Sequence, residues 1–280
     1  MKIGLVLSGG GARGLAHVGV LKAFEEFGIK PHIITGASMG GIIGALYAFG
    51  YSANDLKNLL EKLNIYEVLE SKGMLFLERK NNKVLNTVLK EAAFIPLFTR
   101  QGLDSGRKIR KVFRDLTEGK DFSSLKIPFA CVAVDLITEK LVPLTQGKLY
   151  EVMYATGAIP PYLEPLSLNG MLLADGGILN NAPVDLAREM GANVVIVIDV
   201  NFLQTFKIKE NFRNAFDVIL RVLDITLDTL YIDDLAKADY IIHIPLTNDI
   251  FDFESKNEIV EKGYQIAKEN IISKNLPKLL

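Results

Sequence analysis

Ser38 stands at the centre of Gly36-Ala37-Ser38-Met39-Gly40, a G-x-S-x-G pentapeptide set where an apolar strand must turn into a helix. Upstream, Pro31-His32-Ile33-Ile34-Thr35 reads as a short buried strand; downstream, residues 41–48 read as a helix of small and apolar residues. A serine on such a turn is pushed clear of the sheet, and Gly36 and Gly40 tolerate the strained backbone and close packing around it. The first helical amides and the helix dipole favour negative charge developing beside it. The chemistry this suggests is nucleophilic attack on an acyl carbon; the plainer alternative is a tight turn whose serine caps the helix. A second glycine cluster, Ser8-Gly9-Gly10-Gly11-Ala12-Arg13-Gly14, follows the apolar stretch Ile3–Leu7 and precedes a helix expected over 15–27. Its consecutive glycines leave backbone N–H groups unshielded in an anion-binding nest. Two uses compete: an oxyanion hole with the Gly10 and Gly11 amides as donors, or a phosphate cradle.

The phosphate use has a specific form, because Gly9, Gly11 and Gly14 satisfy G-x-G-x-x-G. A dinucleotide fold places an acidic residue roughly 20 residues further on, at the end of the second strand, to hold the ribose. Here that strand ends in Thr35-Gly36-Ala37-Ser38 with no carboxylate, and Glu25 and Glu26 fall too early, in the preceding helix. A nucleotide-dependent oxidoreductase is therefore the weaker reading.

Three blocks taken together, Gly9-Gly10-Gly11-Ala12-Arg13-Gly14, Gly36-Ala37-Ser38-Met39-Gly40 and Asp175-Gly176-Gly177, resemble the signatures of patatin-like phospholipases, in the same order. The resemblance extends to Ala155-Thr156-Gly157-Ala158-Ile159-Pro160 before the aspartate and to Asn180-Asn181-Ala182-Pro183-Val184 and 187–192 after it. It covers roughly residues 1 to 200 and is nearest to compact, bacterial-type members. Pro161 and Ala37 depart from the usual pattern without touching the dyad. The resemblance implies a lipid acyl hydrolase with Ser38 and Asp175 as a catalytic dyad, no catalytic histidine, and an oxyanion loop of Gly9, Gly10, Gly11, Arg13 and Gly14. It implies neither cofactor nor metal. Acyltransferase or thioesterase chemistry on the same dyad, or a non-catalytic lipid-binding protein, are the alternatives.

Such a dyad makes a physical demand. Serine needs a base as it attacks, and a free carboxylate near pKa ~4 is a poor one. Asp175 follows the apolar stretch 171–174 and precedes two glycines, so it reads as a strand-end carboxylate on a mobile turn, and burial beside Ser38 would have to raise its pKa. By itself, Asp-Gly is also an ordinary turn signal. The chain has three histidines, His17, His32 and His243. Ser38, Asp175 or Asp199, and His243 satisfy the hydrolase order Ser, Asp, His, but His243 lies in the apolar run 240–245 and reads as a strand residue. Arg13 suits either bracing of the glycine loop or a phosphate headgroup. Asp135 and Asp199 close apolar strands and read as loop caps, and Asn180 and Asn181 as braces of the Asp175 turn.

The elements that must position these groups alternate. Strands are expected at 3–7, 32–36, 129–134 and 194–199, with helices at 15–27 and 39–49 and another beginning at Ser52-Ala53-Asn54-Asp55. The near-continuous apolar strands indicate a parallel sheet covered on both faces. The expectation is one α/β domain over 1–280: a three-layer fold with a mostly parallel central sheet and helices on both faces. Residues 72–101 mix Met74, Leu75, Phe76 and Leu77 with Arg79, Lys80 and Lys83, as a basic-apolar flap or lid meeting a membrane surface would, or as a packed helical insertion would. Residues 211–236, with Phe212, Phe216, Ile219, Val222, Leu223 and Leu227, read as an amphipathic helix facing core or a dimer partner. Net charge is −1, which gives no case for nucleic acid. The lone Cys131 allows no internal disulfide and fits a reducing cytoplasm. No signal-peptide pattern is present. The expected protein is cytoplasmic, at most peripheral at the inner membrane face, monomeric or homodimeric, and acts on a lipid or lipid-like ester.

Overall fold

The computed structural model describes residues 1–68, 99–201, 215–274 and 276. The flap expected at 72–101 and the start of the helix expected at 211–236 fall mostly outside them.

Among the described residues eight strands form one mixed sheet. Its parallel part runs β8 (Tyr240–His243), β7 (Val194–Asp199), β1 (Ile3–Leu7), β2 (Ile33–Gly36), β3 (Phe129–Asp135). Alternate residues supply two cores. Leu5, Leu7, Ile34, Cys131, Ile196 and Ile198 face one side, while Val6, Ile33, Val195 and Val197 face the other. Both faces are covered, so each fully buried aliphatic side chain contributes ~1.5–3 kcal/mol relative to exposure.

One face is covered by α1 (Ala16–Glu26), α2 (Ser38–Phe49) and α3 (Ala53–Lys62). The start expected for α3 is present as a capping box. Ser52 Oγ accepts from Asp55 N at 3.1 Å, and Asp55 accepts from Ser52 N at 2.9 Å. Among the described residues, besides a single helical turn at Ile65–Val68, further helices are α4 (Arg107–Leu116), α5 (Leu149–Gly157), α6 (Val184–Glu189), α7 (Ala215–Leu235) and α8 (Lys256–Ser273). The α7 helix lies within the predicted 211–236, but Val222 is exposed rather than on a buried face, and the helix turns Tyr231 inward. Its outward residues include Val218, Ile225 and Ile232.

The sheet is mostly parallel, as expected, but β4 (Lys140–Leu144), β5 (Leu166–Leu168) and the antiparallel direction of the strand ending at Asp175 were not anticipated. With that strand, β6 (Met171–Asp175), they are antiparallel additions around β3. The register is informative. Cys131 pairs with both Gly36 of β2 and Leu144 of β4, and Ala133 pairs with both Asp175 of β6 and Val142 of β4. A residue has only two edges, so β2 and β6 share the edge of β3 opposite β4. The two strands thus approach end to end along β3, their last paired residues two positions apart, about 7 Å at the usual strand rise.

The α1–α8 crossing depends on missing side chains. A Cβ on Gly263 would meet the Ala16 carbonyl, with its carbon at 2.9 Å; one on Gly19 would meet the Val260 carbonyl and Tyr264 N at 2.5 Å. These obstacles are backbone and cannot yield. Gly263→Ala should therefore lower stability by about 1–3 kcal/mol in urea unfolding, despite alanine's helix-propensity advantage of about 1 kcal/mol. Equal or greater stability would show that the two helices can separate freely.

Candidate active site

Ser38 sits at the strand-to-helix turn with φ +51°, the left-handed region that a non-glycine residue occupies only under constraint. The constraint is visible. A Cβ on Gly40 would enter the Leu7 carbonyl, and one on Gly36 would lie 2.7 Å from the backbone of Gly40 and Gly41. Gly40 is pressed against the end of β1, and Gly36 against the first turn of α2, too closely for any other residue at either place. A further group holds the serine: Thr156 of α5 donates its hydroxyl to the Val132 carbonyl at 2.7 Å and accepts the Ser38 N–H at 3.1 Å. Thr156 was quoted within a block but given no role, because a threonine near a helix end carries no signal of what it reaches across the sheet.

Asp175 closes β6, so the end-to-end meeting of β2 and β6 brings it to Ser38. Asp175 is 3% exposed, and its carboxylate interacts with the Ser38 side chain. Its Oδ1 also accepts the Gly177 N–H at 2.8 Å, and its backbone N–H binds the Ala158 carbonyl at 3.0 Å. Burial raises its pKa from 3.8 to about 6, against the opposing effects of Ser38 and Gly177.

The glycine loop lies across the same edge. A Cβ on Gly9 would sit 3.0 Å from Ser38 Cβ, so its bareness permits the approach to the serine. The Gly9 N–H is bound to the Asn181 carbonyl at 3.2 Å and the Ala12 N–H to the Ile250 carbonyl at 2.7 Å. Among the described residues the Gly10 and Gly11 N–H groups have no acceptor, so within the predicted loop these two are the available donors and Gly9 is not. A Cβ on Gly14 would lie 2.6 Å from Met39, which makes Gly14 a packing position under the elbow helix. Arg13 is buried, and its Nε–H reaches the Gly10 carbonyl at 3.3 Å, a bracing contact.

Each histidine is engaged elsewhere. His17 is buried beneath the loop with Nε2 2.8 Å from the Ser8 carbonyl, and desolvation lowers its pKa to about 4, so it is neutral near pH 7. His32 Nδ1 accepts the Ile3 N–H at 3.2 Å. His243 Nδ1 lies 2.7 Å from Asp199 Oδ2. Asp135 caps the turn after β3, accepting from Thr138 Oγ at 2.7 Å and from Leu172 N at 3.0 Å. Burial pushes the Cys131 thiol up to about 12, leaving it protonated. Among the described residues no group of three or more His, Cys, Asp and Glu side chains is placed to hold a metal, and no helix is long and apolar enough to cross a membrane.

The structure thus joins, on one α/β sheet, a strained serine on a strand–helix turn, a buried strand-end carboxylate beside it and a glycine nest alongside. The family model described as Patatin-like phospholipase matches residues 5–188, and the chain belongs to that family. Mouse patatin-like phospholipase domain-containing protein 6 is 38% identical over 201 residues, covering 71% of this chain and 13% of that protein. The neuropathy target esterase sws of Drosophila melanogaster is 31% identical over 200 residues, with the same two coverages, 71% and 13%. The chain thus spans about an eighth of the length of these relatives. The crystal structure of VipD from Legionella pneumophila superposes with a TM-score of 0.56 at 18% identity, over 97% of this chain and 67% of that one, a likeness of fold.

The raised pKa carries a stability consequence. A carboxyl whose folded pKa exceeds its unfolded one favours the fold when protonated, and that contribution is lost as pH rises through about 6. Ionised Asp175 therefore costs the fold about 3 kcal/mol at pH 8, at 1.36 kcal/mol per pKa unit. Asp175→Asn, neutral and still able to accept the Gly177 N–H, should be more stable than the wild type in urea at pH 8 and lose that advantage towards pH 4. A wild type at least as stable at pH 8 would mean that Asp175 is not buried as an anion.

Proposed function

We propose that this chain is a serine acyl hydrolase cleaving fatty-acyl ester bonds of phospholipids, lysophospholipids or similar lipid esters. The observation that carries the reading is the meeting of Ser38, on its strained strand-to-helix turn after β2, with Asp175, a buried carboxylate at the facing end of β6. Family membership supports the lipid ester class, as do the words phospholipase and esterase in the names of the relatives.

In this reading Asp175 takes the Ser38 proton as Oγ attacks the acyl carbon. The carbonyl oxygen becomes an oxyanion facing the Gly10 and Gly11 N–H groups. Collapse expels the alcohol or lysolipid, which receives the proton from Asp175, and leaves an acyl-serine. Water, deprotonated by the same carboxylate, attacks that ester and releases the fatty acid, returning the proton to Ser38. An alcohol or a thioester taking the place of water or of the first ester gives the acyltransferase and thioesterase variants of the same cycle.

Contact with a lipid surface is part of the proposal. Arg107, Lys108, Lys111 and Arg114 of α4 are exposed, and Arg110 and Arg114 lie over the Tyr154 and Tyr150 rings of α5, the helix that carries Thr156. Such a cationic face suits anionic headgroups.

The test is hydrolysis of p-nitrophenyl esters of increasing chain length and of a lysophospholipid, with product analysis. Ser38→Ala and Asp175→Asn should each lose at least about 10³-fold in kcat/KM while remaining folded. Full activity in Ser38→Ala would contradict the proposal. In the wild type, the base must be ionised, so kcat/KM should rise about tenfold per pH unit below about 6 and level off above it. A profile still flat at pH 5 would indicate that Asp175 is not the base.

A further inference from the structure

The Gly9 carbonyl and the Gly10 N–H belong to one planar peptide unit, and in a trans peptide they point in opposite directions. Whatever holds the carbonyl therefore aims the N–H. The Gly9 carbonyl accepts a hydrogen bond from Asn201 Nδ2 at 2.5 Å. The next peptide is held in the same manner by a different residue: the Gly10 carbonyl, rigidly joined to the Gly11 N–H, accepts from Arg13 Nε at 3.3 Å and Arg13 N at 3.2 Å. Each of the two open donors thus has a clamp on the far end of its own peptide.

Asn201 is itself anchored. Its backbone N–H donates to Asp199 Oδ1 at 2.8 Å. Asp199 is 1% exposed and accepts two further bonds, from the Tyr231 hydroxyl at 2.6 Å and from His243 Nδ1 at 2.7 Å. Ser8 Oγ accepts the Val200 N–H at 3.2 Å, tying the start of the loop to the residue after Asp199. A buried polar network costs stability unless its members are paired, and here its bonds converge on Ser8 and Gly9, the residues from which the nest begins.

We infer that Asn201 is a positioning residue of the oxyanion loop: its side-chain amide, anchored through Asp199 to Tyr231 and His243, aims the Gly10 N–H at the place where the acyl oxygen acquires negative charge. The inference rests on the acyl-hydrolase reading. It gives Asp199 and His243, the members of the discarded histidine triad, a place in the site that involves no proton transfer.

Asn201→Asp keeps the size of the side chain but removes the donor. Losing an oxyanion donor outright costs ~10²–10³ in kcat, so a misaimed one should cost roughly ten- to hundredfold, with KM within about twofold of wild type. A purely structural role would not reproduce a second signature. A trifluoromethyl ketone captured by Ser38 as a hemiketal anion should bind more weakly by the same factor as kcat/KM falls, because both report stabilisation of the oxyanion. Asn201→Ala, which brings no charge against the Gly9 carbonyl, carries the same expectation should the aspartate variant fail to fold. Folded variants with kcat within about twofold of wild type, or with kcat reduced but ketone affinity unchanged, overturn the inference. Ser38→Ala measured alongside separates the failures. Activity surviving there removes the functional reading itself, whereas an inactive Ser38→Ala beside an active Asn201→Asp removes only the role of Asn201.

Discussion

The site depends on one placement: an ionisable carboxyl buried against a serine hydroxyl at the point where two strands meet end to end. β2 arrives parallel to β3 and stops at Gly36; β6 arrives antiparallel and stops at Asp175; both lie on one edge of β3. Neither strand can shift without carrying its residue out of reach, and a one-residue slip would also turn each side chain to the opposite face. The register of β3, fixed by its fully buried strand and by β4 on its other edge, therefore sets the distance between Ser38 and Asp175.

Around that placement the structure accepts local strain and a buried charge. Ser38 occupies a left-handed backbone conformation, over-determined by Gly36, Gly40 and the Thr156 hydroxyl. Asp175 is kept from water, which destabilises its anion and makes it a more effective proton acceptor than a solvated carboxylate. The apolar strands and the α1–α8 crossing supply the stability that offsets both.

Much of this was legible from short-range chemistry. The elbow, the glycine nest, the apolar strands β1, β2 and β7 and the Ser52–Asp55 cap are written in contiguous residues whose types admit few conformations. Asp175 was legible as a base only through the family resemblance, because an Asp-Gly pair alone reads as a turn. β6 was legible as the apolar stretch that ends at Asp175, but its antiparallel direction was not, and β4 and β5 were missed, β4 because it carries exposed Lys140 and a mid-strand Pro143 where an apolar run would have shown. Thr156 and Asn201 were missed for a different reason. Each acts through one hydrogen bond to backbone more than 100 residues away in sequence, which no local pattern encodes. The helix Lys256–Ser273 belongs to the same class, its role being a backbone contact through Gly263.

The most direct measurement is covalent labelling with an alkyl fluorophosphonate, followed by peptide mass spectrometry across a pH series. The account predicts one phosphonyl adduct, on the peptide containing Ser38, absent after denaturation and forming faster as pH rises through about 6, where Asp175 becomes able to take the hydroxyl proton. Adduct formation at another residue, or none at Ser38 in a preparation that hydrolyses esters, would contradict it.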